Sequence, residues 1–220
     1  MTMERLAASA LKREQERTLA TPRMRYGLLA RALFLGMDLF YGRRRTLSKF
    51  KVLELVARVP YQAWEQVAYV AMTHTSRAPD FARRVFERVR QSRHQQDNEQ
   101  WHLLILEELI ARQGIQEGFV KYWLTPQMVA FAYYQIVWLL YVTHPAWAYR
   151  LNAEFEDHAE HEYMQFVREH PELEREPFDS ALSEDYGKFE SLADVFRQIG
   201  YDERMHKEES LAWVDTPRFA

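Results

Sequence analysis

Along most of this chain apolar residues recur three and four positions apart, as on one face of a helix, and almost nowhere at every second position. No alternating run and no Asn-Gly or Asp-Gly hairpin turn occurs, so strands are not expected. The pattern predicts a polar helix or arm over about 4–19 and a strongly apolar helix over 26–41 that runs into Gly42-Arg43-Arg44-Arg45. Further helices are expected over about 47–74, 80–112 (stopping near Gly114), 126–143, 146–168 and 191–212. Thr125 reads as an N-cap with Pro126 in the first helical position, and Pro145 ends that run. Ser191 and Asp194 open the last helix as a capping box, after an acidic, proline-containing connection over 170–189. The prediction is an all-α bundle.

Composition narrows the chemistry. At 220 residues one domain with a substantial core is expected. There is no cysteine, which excludes disulfides, zinc-thiolate sites and thiol chemistry, so any metal must be held by carboxylate and imidazole. A formal charge of −3 gives no basic field for nucleic acid, and with seven glycines there is no Gly-rich phosphate loop. Twelve tyrosines, 13 phenylalanines and six tryptophans are many, yet the mean hydropathy of −0.48 argues against a multi-span membrane protein. The first 23 residues mix acids with bases and lack an apolar core, so they read as neither a secretory signal nor a transit peptide.

The candidate chemistry lies in a step that occurs twice, Glu99–His102 and Glu203–His206. Residues three apart on a helix share a face, so each pair can reach one ion. Di-iron carboxylate bundles take a Glu-x-x-His pair from each of two helices and one glutamate from each of two others. Glu54, inside the apolar run Val52-Leu53-Glu54-Leu55-Val56, is the sharper candidate for a single glutamate, because a buried carboxylate without a partner is costly. For the other, Glu154, Glu156 and Glu160 compete. A bland alternative makes Glu54 the i,i+4 partner of Arg58 and one Glu-x-x-His step a chance event. Two such steps interleaved with single glutamates favour the metal.

Taken together, these segments resemble the alternative oxidase family, the di-iron quinol oxidases that include the plastid terminal oxidase. "KVLELVARVPY" (51–61) resembles that family's Leu-Glu-Thr block and following Val-Pro, and "NEQWH" (98–102) resembles Asn-Glu-Arg-Met-His. "EFEDHAEHEYMQF" (154–166) resembles its Leu-Glu-Glu-Glu-Ala block with trailing His-x-Tyr, and "YDERMH" (201–206) its final Ala-Asp-Glu-Ala-x-His. The similarity runs from about residue 26 to 212. It implies a ferritin-like four-helix di-iron bundle with two iron ions on Glu54, Glu99, His102, Glu156, Glu203 and His206. It further implies Tyr163 as the catalytic tyrosine, and Asn98 and Asp202 as outer residues that orient ligands. Leu53 and Ala159 match the lining of the family's quinol pocket. Departures fall in that pocket: Lys49 stands where the family has arginine, His158 replaces a glutamate, and Glu162 replaces a small Ser or Thr. These five are the expected quinol-binding positions. Tyr149 replaces a histidine, and Gly187 stands where a tryptophan follows Tyr186 in the family.

The resemblance implies a quinol:oxygen oxidoreductase that reduces dioxygen to water without pumping protons, homodimeric and bound to one leaflet. The expected location is the cytoplasmic face of a bacterial inner membrane, or the matrix side of the mitochondrial inner membrane. Residues 26–45 are expected to lie in the membrane interface with Arg43, Arg44 and Arg45 at the head groups. Residues 126–143 carry no charge, but Gln127, Gln135 and several tyrosines make spanning less favourable. The expected organisation is an arm over 1–25, the di-iron domain over 26–212 and a tail over 213–220. The altered pocket keeps open a di-iron hydroxylase or desaturase acting on a lipid-soluble substrate. A different class is a non-enzymatic iron-binding or ferroxidase bundle.

Overall fold

In the computed structural model, residues 4–75 and 77–217 are described, and among them all regular structure is helical. In chain order the helices are α1 (Ala8–Ala20), α2 (Leu28–Tyr41), α3 (Leu47–Ala57), α4 (Val59–Thr73) and α5 (Pro79–Arg112). A π-helical turn (Val120–Leu124) leads into α6 (Thr125–Thr143), followed by α7 (Pro145–Glu169), a single turn α8 (Ser183–Tyr186) and α9 (Leu192–Ala212).

The expected helix over 47–74 is therefore two. Pro60 has no N–H to give, so the ladder breaks at Arg58 and restarts as α4 with the proline in its first turn. Thr125 does not cap α6, because the chain enters that helix already wound, and its hydroxyl donates to the Val120 carbonyl at 2.8 Å. The other stops and starts follow local chemistry. Thr46 and Ser191 accept from the N–H groups of Lys49 and Asp194 at 3.2 Å each, opening α3 and α9. α2 ends at Gly42, whose φ of 86° suits glycine.

Four helices, α3, α5, α7 and α9, enclose the core, with α7 against α9 and α3 against α5 as its main pairs. α4 and α6 cover one side, and α1 lies on α7 and α9. α7 and α9 are buried along nearly their whole length, which polar positions on both survive by pairing. Gly200 lets these two helices pack closely. A Cβ there would sit 3.0 Å from Met164 Cε and 3.3 Å from Tyr163 Cβ. The connection over 170–189 is less solvated than its composition predicts: Leu173 and Tyr186 are buried.

Candidate metal centre

Each core helix sends one apolar-flanked acid or acid–imidazole pair to the same interior point. Glu54 comes from α3, Glu99 and His102 from α5, Glu156 from α7, and Glu203 and His206 from α9. All six are at most 1% exposed. Glu54, Glu99, His102 and Glu203 offer ligand atoms within 4.8 Å of one another, and Glu99, Glu156, Glu203 and His206 do the same. Glu99 and Glu203 belong to both groups. His206 Nδ1 stands 2.7 Å from Glu99, and His102 Nδ1 stands 3.2 Å from Glu54 and 3.1 Å from Glu203.

Charge shows what this arrangement is built for. Burial pushes Glu99 and Glu156 well above the usual carboxylate range, and neighbouring carboxylates push them further. Burial raises Glu203 too, but the neighbouring imidazoles of His102 and His206 outweigh it and hold that carboxyl at about 2. Both oxygens of Glu99 and of Glu203, Oε2 of Glu156 and both ring nitrogens of His206 are buried without a hydrogen-bond partner. Four buried carboxylates, three of them with orphaned oxygens, are costly in an apolar interior, and cations between them would remove that cost. The donor set of carboxylate and imidazole without sulfur fits iron or manganese.

Outer contacts fix the ligands. Asp202 Oδ2 lies 3.3 Å from His102 Nε2, so with a metal bound the ring proton would sit on Nε2 and Nδ1 would be free to act as the ligand. Asn98 donates to the same Asp202 oxygen at 3.2 Å, and Tyr186 donates to it at 2.9 Å. The Tyr163 hydroxyl, fully buried, donates to Glu54. Its ring stacks on Phe50 with centroids 4.3 Å apart.

The spacing rule could not separate the three acids of α7, but their environments do. Glu154 accepts from the Gly27 N–H at 2.8 Å and from Arg150 at 3.0 Å, while Glu160 accepts from Thr18 at 2.6 Å and Arg204 at 2.9 Å. Only Glu156 of the three joins the interior groups. Arg58 turns to Gln100, and Glu54 turns inward. A further buried group, Asp157, Glu160 and His161, lies on the face of α7 toward residues 18–26 and α9. Lys207 bonds its two acids at 3.2 and 2.5 Å, so its charge is already met.

Of the expected quinol positions, Lys49, Leu53, His158 and Glu162 line one narrow recess with Met37, Arg45, Thr46 and Phe50. Ala159 is buried on the same helix but does not line it. Lys49 Nζ donates to Asp38 at 2.6 Å and to the Gly42 carbonyl at 2.9 Å. Arg45, expected at lipid head groups, instead turns inward to Glu162 at 3.0 Å and Glu169 at 2.9 Å, because the part-buried Glu162 needs countercharge. Arg23 donates to Glu162 at 2.6 Å as well. Burial lowers His158 to about 4, so its ring is neutral and stacks on Phe34 at 3.9 Å.

One residue the sequence reading missed is Tyr61. It is fully buried, donates to Glu156 Oε1 at 2.6 Å and accepts from Asn152 at 3.0 Å. A signal existed: Tyr61 follows Glu54 by seven positions, as Tyr163 follows Glu156. The pairing is crossed, with each tyrosine donating to the other's glutamate. Tyr61→Phe keeps the ring and removes the donor that orients Glu156. It is expected to weaken divalent-metal binding at the Glu156–His206 group about 10-fold, measured by anaerobic Co²⁺ titration, while the Glu54–His102 group keeps its affinity.

Comparison with known proteins agrees with the geometry. The family model described as alternative oxidase matches residues 2–213. Ubiquinol oxidase 4, chloroplastic/chromoplastic, of Arabidopsis thaliana is 33% identical over 133 residues, which cover 60% of this chain and 34% of that relative. The match thus spans about a third of the relative's length. With nearly its whole described length matched and both Glu-x-x-His pairs meeting two single glutamates in one interior, the chain belongs to the alternative oxidase family.

Proposed function

We propose that this protein is a membrane-bound di-iron quinol oxidase that passes electrons from a quinol to dioxygen, forming water without pumping protons. The observation that carries this is the pair of buried, sulfur-free ligand groups that share Glu99 and Glu203. Glu54 and His102 would hold one iron, Glu156 and His206 the other, with Glu99 and Glu203 between them. Bound iron would supply the centre at which dioxygen takes up four electrons.

The chain's own residues do the rest. Asp202 holds His102 in the tautomer that presents Nδ1, and Tyr163 and Tyr61 hold the two single glutamates. Tyr163 keeps a proton at Glu54 Oε1, inside a wall of aromatic rings that excludes water. Phe50 stacks on Tyr163 and lines the recess of Lys49 and His158, which supports reading that recess as the quinol head-group site. Beside it, sharing Met37, an apolar cavity of about 140 Å³ between α2, α3 and α6 suits an isoprenoid tail.

A lipid-soluble substrate implies a membrane face, and one is available. Leu28, Leu35, Leu39 and Phe40 of α2 are 60–85% exposed, and Phe119, Val120, Trp123, Met128 and Phe131 are 56–66% exposed nearby in sequence around the start of α6. The two segments meet where the Tyr41 hydroxyl donates to the Lys121 carbonyl at 3.0 Å. Among the described residues no helix is long and apolar enough to cross a membrane, so the protein would lie in one leaflet. Exposed Tyr69 and Val70 on α4, with Phe86 and Leu104 on α5, provide apolar surface for a second copy.

The test uses protein loaded with ferrous iron and mixed with vesicles containing ubiquinol. About two irons per chain and quinol-dependent oxygen uptake are expected. The double variant Leu35→Asp/Leu39→Asp, on exposed positions, is expected to float with vesicles at least about tenfold less, since an inserted leucine contributes about 1.5–3 kcal/mol. Iron without uptake would transfer the assignment to a hydroxylase, and a chain that takes up no iron would overturn both.

A further inference from the structure

The N-terminal arm reaches the metal centre. Residues 4–6 run alongside α9, where Gln198 clamps them: its Oε1 accepts from the Leu6 N–H at 3.0 Å, and its Nε2 donates to the Glu4 carbonyl at 2.9 Å. This places the Arg5 guanidinium 3.3 Å from Asp202 Oδ2, the oxygen that faces His102 Nε2. Arg5 also lies over the Tyr186 ring, 4.1 Å from its centroid. The space it uses exists because position 187 is glycine. A Cβ there would stand 3.2 Å from Arg5 Cδ and Nε, on a backbone with φ of 141°.

We propose that Arg5 is a positioning residue of the dinuclear centre, holding Asp202 as the carboxylate that orients His102. This rests on the metal assignment above. Hydrogen bonds alone do not require the arginine. Asp202 already has Asn98, Tyr186 and Gln198, the last donating to Oδ1 at 2.8 Å. What those three lack is charge, and among the described residues Arg5 is the only lysine or arginine paired with Asp202. Four carboxylates around two divalent ions balance to zero, so Asp202 is the surplus negative charge of a water-poor interior. Arg5 is its counterion, contributed from a segment nearly two hundred residues away in sequence. Without it the buried carboxylate faces only His102 and neutral donors and is less firmly fixed against that ring.

The effect should be one-sided. Asp202 touches His102 and not His206, so Arg5 acts on the ion held by Glu54 and His102. Anaerobic Co²⁺ titrations of full-length wild type, Arg5→Ala, Arg5→Lys and Lys12→Ala test this, followed by calorimetry and the visible spectrum of bound Co²⁺. Lys12→Ala controls for arm docking, since Lys12 pairs with Glu174 at 3.2 Å on the surface. Wild type and Lys12→Ala are expected to bind two ions with matching affinity. Arg5→Ala should bind one ion as wild type does and the second about 10–100-fold more weakly, with the spectrum of that ion changed. Arg5→Lys should recover most of the loss. Two unchanged ions in Arg5→Ala, or equal weakening of both, overturns the role of Arg5 and leaves the metal assignment standing. No binding by wild type overturns both.

Discussion

Glu99→Ala is expected to lose both metal ions and all quinol-dependent oxygen uptake, yet to melt near the temperature of the metal-free wild-type chain. The loss of metal follows from membership in both ligand groups. Changing an outer partner of a ligand costs about 10–100-fold in affinity, and deleting a ligand shared by two ions removes more. The unchanged melting temperature has a separate cause. Truncating a buried side chain of this size to alanine ordinarily costs about 2–5 kcal/mol. Glu99, however, is a buried carboxylate with both oxygens lacking hydrogen-bond partners, raised by burial and by Glu203 and Glu54. Removing such a group relieves a penalty of several kcal/mol, which offsets the cavity. Calorimetry on chelated samples should therefore place the two chains within a few degrees.

Added ferrous iron separates them. At free metal one hundred times the dissociation constant a site gains about 2.7 kcal/mol, which raises the wild-type melting temperature by several degrees and leaves Glu99→Ala unmoved. Elemental analysis and an oxygen electrode complete the measurement. A variant that keeps two irons, or a metal-free variant that collapses far below wild type, would show that Glu99 is a structural acid.

How far the sequence discloses this site depends on how far apart the interacting residues are. Glu99–His102 and Glu203–His206 are readable because both members sit on one helix, where spacing alone places them on one face. Glu54 is readable from its apolar neighbours. Glu156 is not separable from Glu154 and Glu160 by spacing, because α7 is buried on nearly every side and each of its faces carries acids with partners. Apart from Arg150, one helical turn before Glu154, those partners come from residues 18–27 and from α9, where no local rule reaches. Tyr61 bonds across 95 positions and Arg5 across 197, so both appear only when the chain is folded. Arg45 shows the same limit in reverse. A basic run after an apolar helix looks like a head-group anchor, but Glu162 draws its last member inward. Helix existence was likewise plain from periodicity, whereas the break at Arg58 depends on a single proline inside an otherwise continuous apolar pattern.

The two tyrosines give the sharpest division between holding metal and using it. Tyr163→Phe is expected to keep both irons and the fold while lowering kcat about 10²-fold or more, with KM for quinol unchanged. Packing predicts the intact fold: the ring stays against Phe50 at 4.3 Å and Phe196 at 6.2 Å, and only the hydroxyl is lost. The remaining cost is that of an orphaned acceptor, about 1–3 kcal/mol, because Glu54 Oε1 loses its donor. That loss should weaken the ion beside Glu54 about 10-fold, as Tyr61→Phe weakens the other, so both irons should still be held in samples loaded with excess iron. The rate falls because, among the described residues, Tyr163 is the one phenol bonded to a ligand of the Glu54–His102 group, and a single ring separates it from the proposed quinol recess. Positioned proton transfer contributes about 10²–10⁴-fold, and phenylalanine has no proton to move. Tyr61, on the opposite glutamate, faces Trp64 with ring centroids 5.3 Å apart and is not among the residues lining the recess. Its phenylalanine variant should therefore fail in metal affinity while, once loaded, turning over at a rate close to wild type. Steady-state oxygen uptake on iron-loaded samples distinguishes the two, and equal kcat in Tyr163→Phe and wild type would remove Tyr163 from the chemistry.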